Sequence, residues 1–501
     1  MAQIKPLRAL RYNPDKVDPA KVVAPPYDVL DEDDRLAYLA RDEHNIVRLT
    51  LGDEPLTPEP PPSRYERAAE LLRQWVAEGI LIHDPQPALY VWEQTYRIPP
   101  GMLGPEGELS RRGFVCLLKL EPLGEGTVFP HEGTLSAPKA DRLNLRRACQ
   151  AAFSPIFLIY TDPERRTEEA LAAALPRPHC HPERSEGSRA DGSTGETSTR
   201  FFASLRMTHG AERRAGEPFA PAQPGQALLD ATDDDGTHHR VFALGDPRAI
   251  QAVQQALSGQ KLVIADGHHR YETALNYRDQ MRKKAGLPDG PWEYVLAYLC
   301  NTVGNEVTIL PSHRVLRGVP PDVIASLPER AREFFSVERV PLGHLRGDRL
   351  AQARELLSRL RAAGAGPPLF GVYTGSPEAL LLRARSTALC DELLPDVPPA
   401  ARCLDIVLLH TIVIDRLLGV QLQREEPGRN IYFTRGADKV IRWVDTGGGR
   451  VGLLVSPARV EQVMQLGLAG ERMPQKGTYF YPKLLSGAVM CDMRAELPAT
   501  K

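Results

Sequence analysis

The sequence predicts a mixed α/β (α+β) fold, and three observations carry that reading. Segments with two-residue alternation interleave with segments of helical periodicity along most of the chain. An apolar run at 261–266 passes through a glycine directly into a helix-forming stretch. Beyond Val319 helical segments dominate, yet apolar β-type runs persist at 369–373 and 451–456. At 501 residues the chain exceeds what one core usually organises, so several lobes are expected. We place a β-rich N-terminal lobe at 1–175, an insertion at 176–210, a strand-turn-helix region at 211–318 and a helix-rich α/β part at 319–501.

Each element has its own warrant. Residues 63–79 read as a helix because Ser63 and Glu66 have capping-box spacing and Gly79 ends the run. Residues 88–98 and 113–121 alternate β-branched or aromatic with polar side chains, as half-buried strands do, and 155–160 is a short apolar strand. Residues 228–244 read as a hairpin turning at Asp234, Asp235 and Gly236, with a helix after Asp246. His238 and His239, beside that turn, are expected to be exposed. Helices are expected at 321–335 and 350–363. The most apolar helix, 403–420, carries Asp405, His410, Asp415 and Arg416, which suits a core helix better than a membrane span.

Residues 176–210 break this order, being rich in Ser, Gly, Thr and charge without periodicity, and read as a disordered insertion. Its ends, 181–188 and 200–208, resemble the translated form of a dispersed bacterial genomic repeat, which implies an insert without function. His179-Cys180-His181 lies inside it, without a scaffold to fix metal geometry.

Composition removes several function classes. The chain has 62 basic and 64 acidic residues, a formal charge of −2, so neither nucleic acid nor a membrane is expected as partner. Its 7 cysteines contain no Cys-x-x-Cys pair and read as the reduced thiols of a cytoplasmic protein. The first residues lack a secretory apolar core. There is no Gly-x-x-x-x-Gly-Lys-Ser/Thr loop, and no Gly-x-Gly-x-x-Gly follows a strand.

The chemistry centres on Asp266-Gly267-His268-His269-Arg270. Glycine permits a tight turn there, and the helix that follows points its leading amides at whatever occupies the turn. His268, His269 and Arg270 add side-chain donors, arginine being suited to phosphate. Local capping or a structural ion pair is the competing reading of the same residues.

Five motifs then carry a family resemblance: Val23-Ala-Pro-Pro-Tyr-Asp-Val29, Phe129-Pro-His-Glu-Gly-Thr134, Ala265-Asp-Gly-His-His-Arg-Tyr-Glu272, Leu310-Pro-Ser-His-Arg314 and Met473-Pro-Gln-Lys-Gly-Thr-Tyr-Phe-Tyr-Pro-Lys483. Together they resemble the bacterial and archaeal family catalogued as domain of unknown function 1015. The last motif departs from the family pattern, with Gly477 where serine is usual. Locally, Asp266 to Tyr271 is similar to the phosphate-gripping motif of the ParB and sulfiredoxin superfamily, which includes free-serine kinases.

The resemblance implies a small-molecule phosphotransferase that makes O-phosphoserine from L-serine, with pyrophosphate or a nucleotide such as ATP as donor. Phosphoryl transfer needs anion-binding groups, cations and a group that deprotonates the hydroxyl. His268, His269 and Arg270 with Gly267 would grip phosphate, while His131, Lys139, Arg142, His313, Arg314 and Lys476 would complete the shell. Asp266 or Glu132 would be the base, and Tyr27 and Asp28 would touch substrate. Magnesium is expected, its ligands unassigned. Bland readings stand beside these: a loop pair for His131-Glu132, a surface run for Lys139 and Arg142, a rigid turn for 25–28, and a salt bridge for Lys476 or Lys483. The competing functions are a ParB-like nucleotide-binding module on DNA and a phosphate-ester hydrolase.

Overall fold

The computed structural model describes residues 2–53, 63–133, 136–176, 225–285, 289–304, 307–345, 347–364, 366–386, 388–395, 397–402, 404–421, 430–474 and 476–495. Apart from Pro176, the expected insertion lies outside the described residues, as do Cys180 and Cys403. The fold is mixed α/β with more than one sheet.

A nine-stranded sheet holds β1 (Ile4–Lys5), β2 (Leu89–Tyr96), β3 (Leu109–Lys119), β4 (Val128–Pro130), β5 (Ile156–Tyr160), β6 (Ala227–Thr232), β7 (His238–Leu244), β8 (Leu262–Asp266) and β9 (Tyr294–Asn301). Their spatial order is β4-β8-β5-β9-β3-β2-β7-β6, with β1 beside β3. The strand of the Asp-Gly turn, β8, therefore sits between two strands from the first 175 residues. Most pairs are antiparallel, but β4 runs parallel to β8, so the segments leaving both strands emerge at the same edge. Carboxyl ends of neighbouring parallel strands are where open α/β sheets gather ligands. Residues such as Val263, Ile264, Leu158 and Leu299 are fully buried along the central strands, as two-sided cover requires.

Helix α1 (Arg64–Ala77) has the Ser63/Glu66 capping box, and Gly79 follows it at φ +68. Helix α2 (Ser136–Cys149) packs on α4 (His268–Ala285), while α3 (Pro247–Leu257) starts from Asp246, whose side chain accepts from the Arg248 amide. The hairpin β6–β7 turns through Gly236 at φ +80.

The C-terminal part is built on a six-stranded antiparallel sheet of β10 (His313–Leu316), β11 (Phe335–Pro341), β12 (Leu369–Tyr373), β13 (Glu378–Ala384), β14 (Ile431–Thr434) and β15 (Val451–Val455), in the order β11-β13-β12-β15-β10-β14. The apolar run after Leu404 forms Asp405–Leu408 and a π-helical stretch, Leu409–Leu417, with Leu408, Leu409, Val413 and Ile414 fully buried. Among the described residues no helix is long and apolar enough to cross a membrane. Cys116, Cys149, Cys300, Cys390 and Cys491 are free and buried.

One expectation needs correction. His239 is fully buried, with its Nε2 3.1 Å from Asp233, its Nδ1 3.3 Å from the Trp92 indole nitrogen and its ring edge-on to Trp92. Strand alternation explains it: His238 faces out, with 41% of its side chain exposed, and its neighbour must face in.

Candidate active site

The site grows from the strand-turn-helix step. Asp266 ends β8, Gly267 has φ +92, and the first main-chain bond of α4 runs from the Tyr271 amide to the Gly267 carbonyl at 3.0 Å. A helix cannot satisfy its leading amides from within, so this turn offers them to an anion, worth about 0.3–1 kcal/mol at an exposed terminus. Glycine is needed twice over: a Cβ here would take a left-handed backbone and lie 2.9 Å from Arg270 Nε.

Arg270 folds back over that glycine. It donates to Asp266 Oδ2 at 2.5 Å, to the Pro155 carbonyl at 2.5 Å and to Ser154 Oγ at 3.1 Å. Lys483 pairs with the other carboxylate oxygen of Asp266. Of the two C-terminal lysines, Lys483 is thus the one that closes an ion pair. Burial works to raise the Asp266 pKa, but Lys483 and Arg270 overcome it and hold the carboxyl well below the usual range. Asp266 is a half-buried anion clamped between two cations.

Beside it, the chain leaving β4 brings His131 and Glu132. The His131 amide donates to His268 Nε2 at 3.3 Å, and the two rings meet edge-on with centroids 4.7 Å apart. Burial pushes the His268 pKa well down, helped by the neighbouring His131, His269 and Arg472, so the ring is neutral. Because Nε2 accepts, the proton of neutral His268 sits on Nδ1, and that nitrogen is the one able to donate to a ligand. His131 is fully buried, with Nδ1 2.5 Å from the Ile264 carbonyl and Nε2 2.9 Å from Thr478 Oγ1. Glu132 accepts from the Thr478 amide at 3.0 Å and its hydroxyl at 2.8 Å.

Further candidates border this centre. Lys139 Nζ lies 2.8 Å from Glu272 Oε2. Arg142 stacks on the Tyr27 ring at 4.0 Å and donates to Asp141 at 2.6 Å and to the Thr50 carbonyl at 2.9 Å. Burial raises the Tyr27 pKa, which also senses Asp28, Arg142, Arg270 and Asp266. His269 is lowered by burial and senses Asp28, Glu272, Lys139 and Lys476. These mutual influences place the 23–29 loop, α2, the start of α4 and the 472–483 segment around one centre. Lys476 and Asp28 are exposed, and among the described residues neither forms an ion pair.

His313 and Arg314 stand differently. Both are fully buried on β10. Arg314 donates to the Ser312 carbonyl and, at 3.1 Å, to the Lys476 carbonyl; it senses Glu132, and burial lowers it to about 9. Burial lowers His313 to about 3. They back the Lys476 loop and do not face the turn as exposed cations.

Sequence reasoning missed Thr478 and the Lys483–Asp266 pair. A hydroxyl next to Gly477 was the available signal for the first. For Gly477 itself, an added Cβ would meet the Pro474 carbonyl at 2.9 Å, so the serine usual in the family does not fit this backbone without a shift.

Among the described residues no three acidic, His or Cys side chains gather at metal-binding spacing. With both oxygens of Asp266 held by cations and Glu132 held by Thr478, these residues do not form a protein cage for magnesium. A cavity of ≈ 60 Å³ touches Tyr27, Arg142, Ser154, Arg270 and Thr273. A larger cleft of ≈ 440 Å³, including Arg361, Asp405 and Arg459, shares no lining residue with the turn.

The model of a family described as a protein of unknown function (DUF1015) matches residues 4–190 and 207–407. The chain belongs to this family. The match is interrupted inside the expected insertion and ends before the 473–483 motif, whose place at this centre rests on the geometry above. No curated protein matches the sequence. A solved free serine kinase in complex with AMP is 11% identical over 71% of this chain and 86% of its own, with a TM-score of 0.30. SbnI with C-terminal truncation from Staphylococcus aureus is 10% identical over 75% and 86%, TM-score 0.29. A conserved hypothetical protein from Pyrococcus furiosus is 11% identical over 71% and 90%, TM-score 0.28. Likeness at this level fixes no activity.

Proposed function

We propose that the chain is a small-molecule phosphotransferase, a free L-serine kinase that forms O-phosphoserine with pyrophosphate or a nucleotide as donor. One observation carries this reading: a helix N-terminus with His268, and a carboxylate, Glu132, leave two parallel strands at the same edge of one sheet. That arrangement unites a phosphate grip with a base. The cations Lys139, Arg142 and Lys476 beside His269 and Tyr27 support a polyanionic donor.

The two candidate acids take different roles. Asp266, locked ionised by Lys483 and Arg270, is a poor proton acceptor and positions both cations. Glu132 is the base for the acceptor hydroxyl. Asp28, unpaired among the described residues, suits the ammonium of an amino acid, with Tyr27 beside it. The leading amides of α4 and His268 Nδ1–H hold the transferred group in line with the hydroxyl. Magnesium would arrive with the donor, held mainly by phosphate oxygens, and neutralise their charge.

The test is incubation with L-serine, magnesium and pyrophosphate, ATP or ADP, with direct detection of O-phosphoserine. Product from the parent and a loss of about 100-fold or more in His268→Ala is the expected result. Release of inorganic phosphate without phosphoserine would move the reading to a hydrolase.

A further inference from the structure

The geometry points to a proton relay, Glu132–Thr478–His131, that takes the acceptor's proton from the surface of the site to a buried imidazole. It rests on the kinase reading above for the source of the proton. Its own basis is three contacts in a line. Glu132 Oε1 is 2.8 Å from Thr478 Oγ1, Thr478 Oγ1 is 2.9 Å from His131 Nε2, and His131 Nδ1 is 2.5 Å from the Ile264 carbonyl.

The hydrogens follow from the acceptors. The Ile264 carbonyl can only accept, so Nδ1 of His131 carries a proton. A neutral ring then leaves Nε2 bare, facing the Thr478 hydroxyl. A threonine hydroxyl has one hydrogen and lies between two acceptors, Nε2 and the carboxylate. Only one of them can receive it, and the other contact is completed when a further proton enters the chain. That proton belongs either to Glu132, as a carboxylic acid donating to Oγ1, or to His131, as imidazolium donating to Oγ1. The line is built to hold one proton at either end.

During transfer, Glu132 takes the hydroxyl proton as the acceptor oxygen bonds to phosphorus and the bond to the leaving phosphate breaks. Glu132 passes its proton to Thr478 Oγ1, whose own hydrogen moves to His131 Nε2. Glu132 is thereby a carboxylate again, and the imidazolium keeps Nδ1–H on Ile264. The reverse passage returns the proton to the leaving phosphate or to water, so the enzyme ends unchanged. The charged and polar groups facing His131 are Glu132, Asp266 and Lys483, with the neutral His268 edge-on; Phe480 covers a further side at 5.9 Å. Burial, joined by Lys483, holds the His131 pKa below its ordinary value against the pull of Glu132 and Asp266, so the imidazolium is only a transient store.

The test uses the full chain. Thr478→Val keeps the shape and removes the hydroxyl; Thr478→Ser keeps the hydroxyl. The relay predicts that Thr478→Val lowers kcat by about tenfold or more with KM for the donor within about twofold, shifts the pH profile, and is rescued by Thr478→Ser. Wild-type kcat and pH profile in Thr478→Val would overturn it. A second measurement needs no activity: ¹⁵N NMR of labelled histidine should show His131 at neutral pH with its proton on Nδ1. It should also show His131 Nε2 losing a hydrogen bond in Thr478→Val. A proton on Nε2 instead would end the relay whatever the enzyme does. An inactive parent with the expected tautomer and hydrogen bond would overturn the kinase reading and leave the proton line standing.

Discussion

His-Arg occurs three times in this chain, at 239–240, 269–270 and 313–314, and the last two copies behave in opposite ways. At the Asp-Gly turn Arg270 finds Asp266 and Lys483 completes the cluster, so a half-buried carboxylate is stabilised as an anion. On β10, Arg314 and His313 are more deeply buried, without an acidic ion-pair partner among the described residues, and burial pulls them down to about 9 and about 3. Residue type sets what a site can do; the neighbours decide which charge state it keeps.

The comparison breaks most sharply at Asp266. Asp266→Ala leaves Lys483 and Arg270 buried without their anion and should cost about 3–5 kcal/mol, read as a drop in chemical-denaturation stability. Arg314→Met removes an unpaired buried charge, which offsets its two lost carbonyl contacts, so its stability should stay within about 1 kcal/mol of the parent. Equal losses in the two variants would remove the distinction between the copies.

Acid separates them as well. His313 is neutral in the fold and its pKa is lowered, so the unfolded chain binds its proton first. The resulting stability loss begins as pH falls through about 6.5 and continues to about 3. Asp266 has a depressed folded pKa, so its stabilisation is full above pH of about 4 and is lost only below that. His313→Gln should therefore flatten the stability curve between about pH 6 and 4, whereas Asp266→Asn should lower stability above about pH 4 and converge on the parent below it.

A smaller effect is expected from Gly267→Ala, about 1–2 kcal/mol from the left-handed backbone, together with weaker phosphate binding as Arg270 is displaced. Smallest is Lys139→Met. Its ion pair with Glu272 is partly exposed and should be worth at most about 1 kcal/mol, so the change should appear in KM for the donor.

Much of this was legible in the sequence because it is local. The capping box at Ser63, the hairpin turn at Gly236 and the step from β8 into α4 are each set by residues within a few positions of one another. What was not legible depends on distant segments. Lys483 reaches Asp266 across 217 positions, and Thr478 reaches His131 across 347. No periodicity encodes such pairs. His239 was misread because a hairpin turn suggests exposure, whereas its place one residue along from His238 sends it inward to Trp92 and Asp233. The six-stranded sheet was legible only at β12 and β15, whose apolar runs stand out from the helices around them.

The most direct test of the phosphate turn is calorimetric titration of pyrophosphate, with magnesium, into the parent, His268→Ala and Arg314→Met. Binding that is lost in His268→Ala and kept in Arg314→Met is the predicted result. Binding that survives in His268→Ala would contradict the assignment of the phosphate site to the 266–270 turn.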